Sequence, residues 1–167
     1  MSQPTLGIET ETLLKYLNDQ RDHALGILEG LDDEALRRPI LPSGWSCLGL
    51  IQHLALDIER FWFRAIVAGE AVDLESGDGA WQVSADVSVA AVFDGYRQEI
   101  DRANAIITNT PLDAAPAWWP LALFGDWRLH DLREIILQVM TETACHTGHL
   151  DAARELIDGR LWLVLTE

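Results

Sequence analysis

The chain has 167 residues, of which 49% are hydrophobic, and this size predicts one substantial core in a single domain spanning residues 1–167. Its formal net charge of −15 excludes most nucleic-acid partners and acidic membrane surfaces, because a negative field repels phosphate groups. The N-terminus lacks a signal-like segment, and no stretch reaches the roughly 20 apolar residues of a membrane helix. We therefore expect a cytoplasmic protein with neither nucleic-acid nor membrane partners.

The first half of the chain predicts two long helices joined by a turn-rich connector. Apolar residues at helical spacing indicate a first helix over residues 10–30. The connector contains Pro39 and Gly44, which are typical of turns. Ser46 is a suitable N-cap for a second, strongly apolar helix that ends near Gly69. This second helix is predicted to lie in the core.

A third helix is predicted after a surface loop over residues 71–84, with Asp86 or Ser88 as its N-cap. It is followed by a section with three prolines, where helix is improbable. Trp118 and Trp119 lie in this section and are candidates for the mouth of a pocket. The other tryptophans are interpreted as anchors in the core or in an interface.

The fourth predicted helix is the longest. It begins at Leu129 or Asp131 and runs to Asp158, with Gly159 as its C-terminal stop. The hydrophobic tail over residues 161–167 is predicted to dock as an extended piece. Because no strand pattern is long enough to build a sheet, we expect an all-α fold, an antiparallel four-helix bundle.

Three potential metal ligands share one face of the fourth helix. At about 100° per residue, His146 lies roughly 40° to one side of Glu142 and His149 roughly 20° to the other. Imidazole and carboxylate groups at this spacing can converge on one metal ion, as they do in zinc sites carried on helices. A single helix seldom completes a coordination sphere, so another element is expected to supply a further donor.

The second helix offers that donor. His53 lies in a very apolar run, where an unpaired imidazole would be costly, and Asp57 lies one turn later on the same face. Asp57 is suited to orient a histidine ligand by a hydrogen bond. Taken alone, a histidine such as His53 is more often a hydrogen-bonded core residue than a ligand, and His149 is also explained as solvated or paired with a carboxylate such as Asp57. Together, these residues favour a metal site.

Other reactive residues receive plainer interpretations. His23 and His130 are predicted to be surface or helix-end residues. Cys145 is expected to pack against a neighbouring helix, and Cys47, in the first turn of the second helix, is expected to be an inert reduced thiol. Arg154 is interpreted as a solvated side chain on the helix surface.

Four segments of the chain carry a family resemblance. They are residues 30–34 with Leu36 and Arg37, residues 42–46 (PSGWS), residues 50–54 around His53, and residues 142–151 (ETACHTGHLD) with Arg154, Glu155 and Leu156. The last segment is the most specific. With these segments the chain resembles the DinB-like superfamily, and within it the mycothiol-dependent transferases, over nearly its whole length.

The resemblance implies an up-and-down antiparallel four-helix bundle that holds a divalent metal, usually zinc or nickel. The implied ligands are His53, Glu142 and His146. Many relatives have His where this chain has Glu142, so the preferred metal stays open. His149 is a fourth ligand, a hydrogen-bonding partner of a ligand, or a substrate contact. Relatives often form a homodimer.

The resemblance also implies a metal-dependent thiol S-transferase, which activates mycothiol or a similar small-molecule thiol for attack on an electrophile. His149 or Asp57 would tune the protons of ligand or substrate. A thiol cofactor that bears a carboxylate calls for an arginine, and the candidates are Arg60, Arg64 and Arg154.

Two alternatives to the transferase remain open from the sequence. The first is a metal-dependent hydrolase, in which the open metal position carries water instead of a thiol. The second is a non-catalytic, dimeric metal-binding stress protein, in which the metal serves only to hold the fold together.

Overall fold

The computed structural model describes residues 6–74 and 79–162, and within these ranges it contains helices and no strands. The α-helices are α1 (Ile8–Ile27), α2 (Asp33–Arg37), α3 (Cys47–His53), α4 (Val89–Asn109), α5 (Leu121–Phe124) and α6 (Leu132–Asp158). A π-helix, Leu54–Val67, continues α3 without a break, and Gly79–Trp81 forms one 3₁₀ turn. The prediction of an all-α fold is confirmed.

The predicted caps form as expected. The side chains of Ser46, Ser88 and Asp131 each accept a hydrogen bond from a backbone N–H in the first turn of the helix that follows. Gly159 ends α6 with a φ of 77°, a left-handed conformation that glycine adopts without strain. Short polar side chains and one glycine therefore fix the ends of the helices that carry the site.

Several boundaries differ from the predicted ones. α1 ends at Ile27, three residues before Gly30. The connector contains α2, which Asp32 caps by accepting a hydrogen bond from the backbone N–H of Ala35. The proline-rich section contains α5, which starts directly after Pro120, where a missing N–H costs nothing. Helices of four or five residues are too short to show a periodic pattern in the sequence.

The predicted second helix is α-helical only as far as His53 and π-helical afterwards. Ten of the 14 residues of the π-helix are buried, while Asp57, Arg60 and Arg64 are half-buried and recur at helical spacing. This amphipathic pattern is also that of an α-helix, so it does not reveal the change to a wider helix. π-Helical segments occur often at functional sites, and this one begins directly after a candidate ligand.

The long helices contact one another in a closed cycle. α1 packs against α6 and α4, while the π-helix packs against α4 and α6. Large apolar side chains from every member of the cycle are fully buried, and representative ones are Leu17, Ile51, Phe63, Tyr96 and Ile136. Burial of such a side chain contributes about 1.5–3 kcal/mol. No helix in the described part of the chain has both the length and the apolar character for a membrane crossing.

A buried ion pair joins three of these helices. Nε and Nη2 of Arg21 on α1 donate to the two carboxylate oxygens of Glu59 on the π-helix, at 2.7 and 2.6 Å. Nη1 of Arg21 donates to Asn18 and to Asn104 of α4. Both charged residues are only 1% exposed. A charge removed from water to this degree is tolerated only with a partner of good geometry.

We predict that Glu59→Gln destabilises the fold by about 3–5 kcal/mol, because it leaves the buried Arg21 cation without its counter-charge. Urea unfolding followed by circular dichroism measures this loss. The control is Glu155→Gln at an exposed position of α6, which is expected to change the free energy of unfolding by about 0.5 kcal/mol or less. Equal effects of the two variants would contradict the role given to the ion pair.

Candidate functional site

A cavity of about 400 Å³ lies between the π-helix, α5 and α6. One end is polar and is formed by His53, Asp57, Gln138 and Glu142. The other end is apolar and is lined by Ile58, Phe61, Trp62, Leu74, Leu123, Phe124 and Trp127. Its volume and its mixture of apolar walls with a few polar groups are typical of sites for small molecules.

The structure brings His53 and His146 together at the polar end. Their ring centroids are 5.0 Å apart, and the rings meet edge to face at 77°. His53 is the last residue of α3, whereas His146 lies in the middle of α6. Two elements that are distant in the sequence therefore place their imidazoles side by side.

A hydrogen bond to Asp57 orients the His53 ring. The distance from Nδ1 of His53 to Oδ2 of Asp57 is 2.8 Å. Because an ionised carboxylate only accepts hydrogen bonds, Nδ1 of His53 is the donor, and in the neutral tautomer Nε2 is the nitrogen with the lone pair. This arrangement is the one in which a carboxylate holds a metal-binding histidine in the correct tautomer.

His146 is a neutral imidazole at physiological pH. Burial, together with the neighbouring His53 and His149, lowers its pKa to about 4. Its Nδ1 is buried and has no hydrogen-bond partner among the described residues. Its Nε2 lies 3.8 Å from Oε2 of Glu142, whose other oxygen accepts a hydrogen bond from Gln138 at 3.1 Å. The neutral ring therefore has a nitrogen lone pair that can bind a metal ion, and it lies beside the Glu142 carboxylate.

Trp81 covers the histidine pair, a role that the sequence did not reveal. Its ring stacks on His53 with centroids 4.1 Å apart and an interplanar angle of 19°, and its centroid is 5.8 Å from that of His146. Gly49 permits this approach, because a Cβ there would lie 2.4 Å from the carbonyl oxygen of Trp81. Gln52 holds the same turn by donating to the carbonyl of Ala80. No spacing in the sequence connects position 81 with position 53.

His149 lies at the solvent side of the cluster. It is exposed, and its ring centroid is 5.7 Å from that of His146 and 6.2 Å from that of Trp45. Trp45 belongs to the PSGWS segment of the family resemblance, so the sequence marked this position, although the chemistry of its side chain did not predict a contact with His149. His149 does not line the large cavity within the described ranges.

The donor types at the site fit a divalent metal, although their present arrangement does not form a complete ligand set. Among residues 6–74 and 79–162, no three His, Cys, Asp or Glu side chains are placed so as to hold a metal ion. The chemistry of the donors is nevertheless suitable: an oriented imidazole at His53, a neutral imidazole at His146 and the Glu142 carboxylate. The buried, unpartnered Nδ1 of His146 points to a missing interaction.

The family model described as Mycothiol-S-transferase matches residues 12–159. The chain belongs to the mycothiol S-transferase family. This result confirms the resemblance to the DinB-like superfamily and its mycothiol branch. No curated protein and no solved structure shows significant similarity to the chain. Membership implies mycothiol S-transferase activity in general, with a thiol as one substrate.

The three arginines that are candidates for binding the thiol cofactor differ in how many of their N–H groups are already hydrogen-bonded. Arg154 is buried, and it donates to Asp158 and to the backbone carbonyls of Ile27 and Glu29, so the expectation of a solvated side chain was wrong. Arg64 is bonded to Glu70 and Glu99. Nε of Arg60 is buried without a hydrogen-bond partner in the described part of the chain, but Arg60 does not line the cavity there.

One further prediction of solvent exposure needs correction. His23 is buried: its Nε2 is hydrogen-bonded to Asp151 of α6 at 3.0 Å, and its ring stacks on Trp162. The packing of α1 against α6 covers this position. His130 is exposed, as predicted.

The rest of the predicted hydrophobic tail, residues 163–167, lies outside the described residues. Of the described tryptophans in that section, Trp127 lines the cavity beside His53, whereas Trp118 lines a separate cavity of about 410 Å³.

The cysteines divide into one buried and one exposed thiol. Cys47 is buried, and burial raises its pKa to about 11, so it is inert as predicted. Cys145 is exposed, so its predicted packing against a neighbouring helix was wrong. The buried face of α6 in this region carries Thr143 and Thr147 instead. Neither cysteine belongs to the described lining of the cavity.

We predict that a thiol reagent such as dithiobisnitrobenzoate modifies one cysteine per folded chain at pH 8. Cys145 reacts because it is exposed, whereas Cys47 is 1% exposed and its pKa lies about three units above this pH. The absorbance of released thionitrobenzoate measures the number. Cys145→Ser should show no reaction until denaturant is added. Rapid reaction of two thiols in the folded protein would contradict the burial of Cys47.

Proposed function

We propose that this mycothiol S-transferase family member is a metal-dependent thiol S-transferase, which joins mycothiol or a similar small-molecule thiol to a small electrophile. The observation that carries the proposal is the pair of imidazoles, His53 and His146, with centroids 5.0 Å apart. His53 and Glu142 also line the cavity of about 400 Å³, so the candidate donors and the space for an electrophile adjoin.

The proposed metal ligands are His53, Glu142 and His146, and the proposed metal is zinc or nickel. Three protein ligands leave a coordination position open, as catalytic sites require. When bound, a divalent metal with an open position lowers the pKa of a thiol, so that thiolate exists at neutral pH. The present separation of Glu142 and His146, 3.8 Å between oxygen and nitrogen, means that small side-chain rotations would accompany binding.

Two further residues serve the reaction in this proposal. Asp57 holds the His53 ring through its hydrogen bond to Nδ1, which keeps Nε2 directed for ligation. His149 is exposed beside His146, so it can accept the thiol proton and pass it to water. Removal of either residue is expected to lower the rate while the fold persists.

The nucleophilic sulfur is proposed to come from the cosubstrate, because neither Cys47 nor Cys145 lines the described cavity. Arg60 is the arginine proposed to bind the thiol cosubstrate, since its Nε has no partner within the described ranges. The guanidinium of Arg154 donates hydrogen bonds to the carbonyl of Ile27, at the end of α1, and to the carboxylate of Asp158. These bonds favour a structural role for Arg154 over the predicted contact with the cofactor.

The proposal includes an architecture and a setting. The closed cycle of contacts among the long helices supports an up-and-down antiparallel four-helix bundle, with residues 1–167 as one domain.

Exposed apolar side chains such as Leu137 and Leu156 on α6 support a homodimer. A cytoplasmic location is proposed because the reaction consumes a reduced thiol, and the cytosol keeps thiols reduced.

We predict that the purified protein contains about one divalent metal per chain and that His53→Ala and His146→Ala each lose it. The physical reason is that loss of one of three ligands removes a large part of the metal affinity. Elemental analysis after dialysis measures the content. The matched control is His130→Ala, at an exposed histidine outside the cluster, which should keep its metal. Full metal content in both cluster variants would contradict the proposed ligands.

Activity measurements separate transfer from the two alternatives. Turnover of a chloronitroarene only in the presence of mycothiol supports transfer, whereas product release without any thiol would indicate a hydrolase. Unfolding of the helices on metal removal would indicate a structural metal in a binding protein. A transferase should instead lose activity and keep its helicity, because most of its buried apolar core lies on helix faces away from His53 and His146.

A further inference from the structure

The apolar end of the large cavity is built from aromatic rings. Trp62 and Phe124 stack with centroids 5.7 Å apart and an interplanar angle of 16°, and Trp127 meets both rings nearly edge-on. Phe61 packs edge to face against Trp62. Rings held in this way form flat walls and offer both faces and edges to a further ring.

This aromatic end is continuous with the histidine end. Phe61 and Trp62 line the same cavity as His53, and they lie two turns later on the same continuous helix. A molecule with its reacting carbon beside His53 and Glu142 would therefore extend its remaining atoms towards Trp127. A volume of about 400 Å³ accommodates a single substituted ring.

The charges around the cavity disfavour an anionic occupant. Its described lining contains Asp57 and Glu142 but no Lys or Arg, and the chain as a whole has a net charge of −15. An anionic group among Trp62, Phe124 and Trp127 would lose its hydration without gaining a counter-charge there. Carboxylated or phosphorylated electrophiles are therefore disfavoured.

We propose that the electrophilic substrate is an aromatic molecule without a negative charge whose ring packs against the wall formed by Trp62, Phe124 and Trp127, an inference that rests on the transferase function proposed above. In the transfer step the thiol loses its proton to His149, and its sulfur attacks the electrophilic carbon. A carbon–sulfur bond forms, and the bond from that carbon to the leaving group breaks. A halide leaving group departs with the bonding electron pair.

The kinetic test uses the metal-loaded protein, mycothiol and three electrophiles. These are 1-chloro-2,4-dinitrobenzene, which is neutral and aromatic, 4-chloro-3,5-dinitrobenzoate, which is anionic, and iodoacetamide, which is small and has no ring. Each rate is divided by the uncatalysed rate with the same thiol. We expect the rate enhancement for the neutral arene to be at least about tenfold larger than for the other two.

Trp127→Ala is the decisive variant, and Trp118→Ala is its matched control. Both tryptophans are partly exposed, at 45% and 40%, but Trp118 lines a different cavity. Trp127→Ala should lower kcat/KM for the neutral arene about tenfold and leave iodoacetamide unaffected, while Trp118→Ala changes neither. Leu123→Ala, at a 64% exposed position of the cavity, should show a loss of about threefold for the arene.

A binding measurement keeps the test independent of turnover. Unreactive 1,3-dinitrobenzene should quench the tryptophan fluorescence of the metal-free protein, with a Kd about tenfold weaker in Trp127→Ala than in Trp118→Ala. Equal affinities in the two variants, or equal enhancements for all three electrophiles, would overturn the aromatic assignment. Absence of thiol-dependent turnover with any electrophile, despite selective dinitrobenzene binding, would overturn the transferase and leave the aromatic site in place.

Discussion

The buried pair of Arg21 and Glu59 is the interaction that relates the helices of the site to one another. Glu59 lies on the helix that continues from His53, and Arg21 lies on α1, which packs along α6 and so against the helix that carries His146. The same guanidinium reaches α4 through Asn104. Because a buried charge is costly without its partner, a shift of α1 along the π-helix that separated Arg21 from Glu59 would be strongly disfavoured.

A second constraint acts at the level of single atoms. Without a side chain at Gly49, the turn of Gly79–Trp81 approaches α3 closely enough for the Trp81 ring to cover His53. The cover removes water from the histidine pair, and this burial is the main reason why the pKa of His146 falls to about 4. A neutral imidazole is the form that binds metal, so packing and ligand chemistry are coupled here.

The sequence predicted the helices well and the tertiary contacts of the site incompletely. Helix ends followed from Ser46, Ser88 and Asp131, because caps act locally. The π-helix was missed because its amphipathic pattern is also that of an α-helix, and α2 and α5 were missed because four or five residues leave no periodic pattern.

The spacing of Glu142, His146 and His149 in the sequence placed them on one helix face. It did not predict that Trp81 and Trp45 lie beside the histidines, because these contacts join distant parts of the chain. The exposure of His23, Cys145 and Arg154 was wrongly predicted for a related reason. Burial of these residues depends on which face of α6 meets α1, and a helix of mixed polarity leaves that choice open. Family membership could be recognised from short segments, whereas the position of one ligand relative to another depends on helix packing that no short segment specifies.

The central claim is that His53, Glu142 and His146 share one divalent metal. Anomalous X-ray diffraction from crystals of the metal-loaded protein tests it most directly, since the metal position is observed without reference to activity. We expect one strong anomalous peak about 2.0–2.1 Å from a ring nitrogen of each histidine and about 2.0–2.2 Å from a carboxylate oxygen of Glu142. A metal bound by other residues, or a fully loaded protein with His53 and His146 both outside the coordination sphere, would contradict the claim.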